Sequence, residues 1–228
     1  MFRTISAAVP RFALFLLALI PVLISSLIMA SMHYGWANEF NTPADVVRRD
    51  SYPIALVGHF LGGSIMLLLG FAQFSATLRR RFPGLHRWIG RGLVLAGGYF
   101  ALSGLVMNAS AKAQADSVLY NTAQNVMAVV FLAVLTLGIH AIRQRRVADH
   151  RAWMMRSYAI TLGAATQTIL ILPVFLIVGE AKGLLIDLVF IAAWGVNLTV
   201  AEWVIRAPRR PVILQQQSGQ PAPVQPRA

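Results

Sequence analysis

Six apolar stretches, each long enough to cross a bilayer, decide what this chain can become. They cover residues 12–30, 52–78, 89–108, 119–142, 153–178 and 184–205. At a rise of ~1.5 Å per residue, helices of such length span a hydrocarbon core of ~30 Å. Lipid offers no partner for a backbone N–H or C=O, so each stretch must pair its own backbone as a helix. The expectation is an all-α, polytopic membrane helical bundle of six transmembrane helices. Composition agrees: 57% of residues are hydrophobic and 12% charged, which excludes a soluble domain of this length.

The charge has a direction. A net charge of +12 is compatible with nucleic-acid binding, but the arginines gather at the ends of apolar stretches and no segment is long enough to build a continuous basic face. No nucleic-acid partner is expected. Sixteen of the 20 Lys and Arg residues fall on one side of the six-span topology, among them Arg3, Arg11, Arg79, Arg143 and Arg209. Arg48, Arg49, Lys112 and Lys182 fall on the other. Positively charged loops stay in the cytoplasm, so both termini are expected inside, N-in and C-in. Residues 1–206 read as the membrane domain, with a core bundle at about 52–178. The Pro- and Gln-rich residues 207–228 read as a disordered cytoplasmic tail. With no cysteine in the chain, disulfides, thiolate-held clusters and a thiol nucleophile are excluded.

The chemistry-bearing residues concentrate in two related stretches. Arg79-Arg-Arg-Phe-Pro-Gly-Leu-His-Arg-Trp-Ile-Gly-Arg91 lies before the third span, and Asp149-His-Arg-Ala-Trp-Met-Met-Arg156 opens the fifth. In each, a His-Arg pair is followed by a Trp and then an Arg. Two readings stay open. In one, the arginines set topology, Trp88 and Trp153 anchor at the interface, and the histidines bond backbone carbonyls. In the other, His86 and His150, with His140 near the same membrane face, supply imidazoles to a haem b iron. Arg87, Arg91, Arg151 and Arg156 then neutralise its propionates. The matching hairpins also suggest duplication of a two-helix unit.

His59 stands apart, about 10 Å into the second span from the opposite face. An ionisable side chain at that depth is a functional candidate, as outer haem ligand or quinone-site residue. It can equally be a neutral imidazole bonded to the next helix, with Ser103, Asn121, Gln124 and Asn125 as polar candidates at similar depth. Gly58 and Gly62, four residues apart, mark a face where a neighbouring helix can approach closely. The fifth span is unusually polar, and Thr161, Gln167 and Thr168 can line one interior stripe. Glu202 stands four residues before Arg206, the spacing of a helical ion pair.

The segments His59-Phe-Leu-Gly-Gly63, Gln73-Phe-Ser-Ala-Thr-Leu-Arg79, His86-Arg-Trp-Ile-Gly-Arg91 and Asp149-His-Arg-Ala-Trp-Met-Met-Arg-Ser-Tyr-Ala159 resemble an uncharacterised bacterial family of predicted membrane proteins. The resemblance covers roughly residues 50–200 and implies a multi-pass protein of the bacterial inner membrane without an established activity. More loosely, the histidines on spans are similar to b-type transmembrane cytochromes. The chain departs from the four paired histidines of that plan. The functions to weigh are haem b-binding electron transfer with a quinone or redox partner, binding of an anionic lipid or small solute without redox chemistry, and an accessory subunit without chemistry. In all three the lipid bilayer is a partner.

Overall fold

The computed structural model describes residues 2–34, 49–109, 117–178 and 183–207, with side chains from Ala13 onward except at 175 and 178. The expected disordered tail and the loop residues Glu39, Asp45, Lys112, Asp116 and Lys182 lie outside the described residues. Eight helices are described, and six helical segments among them are long and apolar enough to cross a membrane. The architecture is an all-α polytopic bundle.

Helix α1 covers Phe2–Tyr34, α2 Pro53–Gln73, α3 Ala76–Arg81 and α4 Pro83–Asn108. Then come α5 at Val118–Arg143, α6 at Val147–Thr161, α7 at Gly163–Val178 and α8 at Leu184–Arg206. Several ends have local causes. Pro53 and Pro83 open their helices, where a missing N–H costs nothing and the fixed φ helps. Hence α4 begins six residues before the apolar stretch that announced it, and the His-Arg-Trp segment is helical. The second stretch was expected to run unbroken to Leu78. It stops at Gln73 because Ser75 adopts an extended conformation and caps α3 through its Oγ, 3.3 Å from Leu78 N.

The turn between α5 and α6 closes tightly. Arg145 takes φ 60°, its N–H donates to Ile142 O, and Arg146 N–H donates to Ala141 O at 2.9 Å. This is a Schellman closure with arginine where glycine is usual.

The fifth span, read from sequence as one helix over 153–178, is two helices meeting at Leu162. Two residues of α8 hold the break. Gly163 lies so close to the Trp194 indole that a Cβ there would be 2.3 Å from its Nε1. Asn197 donates to Ala159 O at 3.2 Å and accepts from Thr166 Oγ1 at 2.9 Å, bridging the last turn of α6 to the first of α7.

The tightest pairing is α2 against α4. A Cβ on Gly62 would lie 2.9 Å from Ala96 O, and one on Gly58 would overlap the Tyr99 ring. Tyr99 in turn donates to Ile54 O at 3.2 Å. Within lipid, apolar burial gives no advantage over contact with lipid tails, so close van der Waals packing of small residues holds such a pair. Met66, Leu93, Phe131, Leu135 and Ile160 form the main packed centre, and Trp194 and Leu198 of α8 pack on it from the sixth span. A second cluster joins Ala18 of α1 to Leu67, Tyr158 and Leu162.

A candidate site: one polar cavity and one basic end

The spans line a half-open cavity of about 1050 Å³ to which every one of them contributes a polar wall residue. These are Ser25 of α1, His59 of α2, Asn108 of α4, Gln124 of α5, Gln167 of α7 and Asp187 of α8. Most stand in the half of the bundle remote from the arginine-rich loops. The floor, toward the middle of the spans, is apolar and includes Met127, Phe131 and Ile160.

Each polar group is placed by a local bond. Asn108 Nδ2 donates to Gln124 Oε1 at 2.7 Å, joining α4 to α5. Ser117, the N-cap of α5, donates to the Asp187 carboxylate, joining α5 to α8. Gln167 Nε2 donates to Phe190 O at 3.2 Å. His59 stacks on Phe100 with ring centroids 4.3 Å apart, and its Nδ1 lies 2.9 Å from Phe100 O. A carbonyl oxygen only accepts, so Nδ1 carries the proton and the lone pair of the neutral ring is on Nε2. Ser103 Oγ is 3.3 Å from the same Nδ1 and itself donates to Phe100 O at 3.0 Å. Glycine at position 104 admits the ring, since a Cβ there would come within 3.3 Å of His59 Cε1.

The wall chemistry is selective. Among the described lining residues Asp187 is the one carboxylate and there is no Lys or Arg, so none of them compensates an anion. Neutral hydrogen-bonding groups and cations fit.

The basic end carries the other sequence candidates. His86 and His150 are each the fourth residue of their helix, and each donates its backbone N–H to the N-cap carbonyl, Phe82 O and Arg146 O, at 3.0 Å. In both, the following arginine lies over the tryptophan three residues before it: Arg91 over Trp88 at 5.1 Å and Arg156 over Trp153 at 4.5 Å. The echo in sequence is thus one local construction built twice. Side-chain bonding differs, because His150 Nδ1 donates to Gly138 O at 2.8 Å, whereas His86 Nδ1 is buried without a hydrogen-bond partner. Asp149, beside His150, pairs with Arg146 at 3.3 Å.

The remaining candidates do not join one site. His140 is exposed and bonded to Gln144 of its own helix at 2.8 Å. Arg156 is committed to Glu202 of α8 at 2.5 Å, and Glu202 also holds Arg206 at 3.3 Å, the expected four-residue pair. Arg87 and Arg151 are exposed. Gly104, which faces His59, lies so far along α4 from His86 that ~27 Å of helix separates them at ~1.5 Å per residue. His59 therefore shares no ion with His86 or His150. Among the described residues, no three His, Asp or Glu side chains gather as a metal site would require.

With this geometry in view, comparison with known proteins adds one result. The family described as a predicted membrane protein, DUF2306, matches residues 56–205. The chain belongs to that family. The match runs from the start of α2 to the end of α8, so the DUF2306 segment holds five of the six spans and all wall residues except those of α1. No curated protein and no solved structure matches the chain.

Several contributors were not singled out from sequence. Asn108 looked like a helix end, and Trp194 and Asn197 looked like ordinary members of the last span. A lone Asn in the middle of an apolar span was the available signal, since an amide in lipid needs a partner on another helix.

Proposed function

We propose that this DUF2306 protein binds an amphipathic small molecule within the membrane. Its polar head, neutral or cationic, would lie among His59, Asn108, Gln124 and Asp187, and its apolar body along Phe131 and Ile160. The observation that carries this reading is the cavity of about 1050 Å³ with polar groups from all six spans and no basic residue on its described wall. Pockets for small molecules are commonly apolar, with a few placed polar groups to fix orientation. A quinone, with carbonyl acceptors and an apolar tail, is one member of the class.

The test is displacement of an environment-sensitive amphipathic fluorophore from detergent-purified protein, together with mass spectrometry of what organic solvent extracts from it. Ala164 lines the cavity and its side chain is exposed there, so Ala164→Trp fills the space without burying new strain. Loss of probe binding by about tenfold or more is expected, equal to ~1.4 kcal/mol. Unchanged binding in Ala164→Trp would refute the reading.

Haem b remains a second reading because of one feature. The Nδ1–H bond from His150 to Gly138 O leaves the Nε2 lone pair for a ligand, as in many metal-bound imidazoles. His86, near enough to His150 for their charges to interact, would be the second ligand. A reduced-minus-oxidised visible spectrum decides it: a b-type band lost in His86→Ala and His150→Ala supports haem, and a flat spectrum from folded protein removes it. In our reading the positive-inside rule puts the basic end in the cytoplasm, and the family resemblance makes the membrane the bacterial inner membrane. Reporter fusions at both termini test that orientation.

A further inference from the structure

Two buried side-chain nitrogens at the basic end are left without partners. Gln73 Nε2 and His86 Nδ1 are inaccessible to solvent and bonded to nothing. They belong to one corner of the bundle. Gln73 ends α2, and its Oε1 lies 3.7 Å from where a Cβ of Gly90 would be. Gly90 is one helical turn beyond His86 on the same face of α4. Arg79, on α3 between these helices, lies within electrostatic reach of His86 and has no carboxylate partner among the described residues. Around the corner, Phe82, Leu85 and Trp88 are all more than half exposed, the kind of apolar rim that acyl chains cover.

A buried amide with no acceptor is costly to keep. Here an amide N–H and an imidazole nitrogen stand at one corner, with a guanidinium within electrostatic reach of the imidazole, where a helix bundle meets the head-group layer. A ligand satisfying all three presents several oxygen acceptors and a negative charge. Phosphate does so, and arginine pairs with it through charge-assisted bonds.

We propose that Gln73, Arg79 and His86 form a binding site for a phosphate group, supplied at this depth by an anionic lipid. The site is separate from the cavity, lies at the other end of the bundle and does not depend on the reading given to it. His150 closes the corner from α6. Its own Nδ1 is satisfied by Gly138 O, so it borders the site without needing the ligand.

The experiment measures thermal stability of the delipidated, detergent-purified full chain during titration with phosphatidylglycerol, phosphatidylcholine or inorganic phosphate. Wild type is expected to gain stability saturably with phosphatidylglycerol and not with phosphatidylcholine. A saturable response to inorganic phosphate alone would support the same site with a soluble anion as its source. Gln73→Met removes the unpartnered amide, so this variant should be at least as stable as wild type without lipid yet lose the lipid response. Arg79→Gln, a change at an exposed position, should weaken binding by about tenfold, one charge-assisted hydrogen bond. Arg87→Gln, also exposed but outside the corner, should keep wild-type affinity, and so should the cavity-filling Ala164→Trp. The proposal is overturned if wild type responds to neither phosphatidylglycerol nor phosphate. It is equally overturned if Gln73→Met and Arg79→Gln respond like wild type, or if Arg87→Gln loses as much as Arg79→Gln.

Discussion

Replacing Gly62 with alanine tests whether close helix contact, rather than side-chain burial, holds the α2–α4 pair. A Cβ at this position would lie 2.9 Å from Ala96 O and 3.2 Å from Phe100 Cβ. The first neighbour is backbone, so no rotamer change relieves the contact. Gly58 against Tyr99 and Gly63 against Phe100 fix α2 on both sides, so it cannot rotate away either. Two effects compete. Alanine is favoured over glycine in a helix interior by ~1 kcal/mol, whereas overpacking a tight contact costs ~1–3 kcal/mol. Gly98, in α4, isolates the first effect because a Cβ there would meet nothing within 4 Å. Gly98→Ala should therefore be neutral or slightly stabilising, and Gly62→Ala should be less stable than Gly98→Ala by about 1–3 kcal/mol. That is roughly a 5- to 150-fold difference in the folded-to-unfolded ratio. Unfolding by sodium dodecyl sulfate titration in mixed micelles measures both. If Gly62→Ala proves as stable as Gly98→Ala, the close-contact account of this interface is wrong.

Two further predictions follow from the basic end. Glu202 accepts from Arg156, and the two side chains are 30% and 23% exposed, while its second partner Arg206 is 80% exposed. Exposed pairs contribute ~0–1 kcal/mol, and stranding a partly buried charge costs more. Arg206→Gln should thus change stability by less than ~1 kcal/mol, and Glu202→Gln should lower it by about 1–3 kcal/mol; equal effects in the same titration would show that Arg156 does not depend on Glu202. At the α5–α6 turn, Arg145 holds φ 60°, a conformation that disfavours side chains by ~1 kcal/mol. Arg145→Gly should raise stability by up to about 1 kcal/mol, and a loss of stability would mean that the arginine side chain contributes more than its backbone costs.

What could be read in the chain, and what could not, follows from how far each signal reaches. Spans are local: a run such as 184–205 declares itself without any neighbour, because lipid forces helicity on it. The small residues Gly58 and Gly62 also declared their role, since in lipid few other reasons place two glycines one turn apart. The break at Leu162 did not. Nothing in Ile160-Thr-Leu-Gly163 requires a helix to stop, and the break depends on Trp194 and Asn197, more than thirty residues later. The cavity was hidden for the same reason. Ser25, Asn108 and Asp187 lie on three different spans, and each looks like an ordinary isolated polar residue of its span until the bundle brings them to one wall. Charge reads incompletely in one respect: the pairing of Arg156 with a carboxylate forty-six residues away is visible only in the fold.

The two His-Arg corners now distinguish a built site from a built scaffold. Both place a histidine fourth in a helix with its N–H on the cap carbonyl, and both stack an arginine on a tryptophan. If these stretches served only topology and anchoring, both imidazoles should be satisfied internally, since burial of an unbonded nitrogen opposes folding. At the second corner that holds: Gly138 brings its carbonyl within 2.8 Å of His150, and its missing side chain lets Trp153 and Met154 pack directly on α5. At the first corner the equivalent nitrogen of His86 has nothing, and the nearby Gln73 amide has nothing. The same construction is completed once by the protein's own carbonyl and once left open, and the open corner is where the proposed phosphate would complete it.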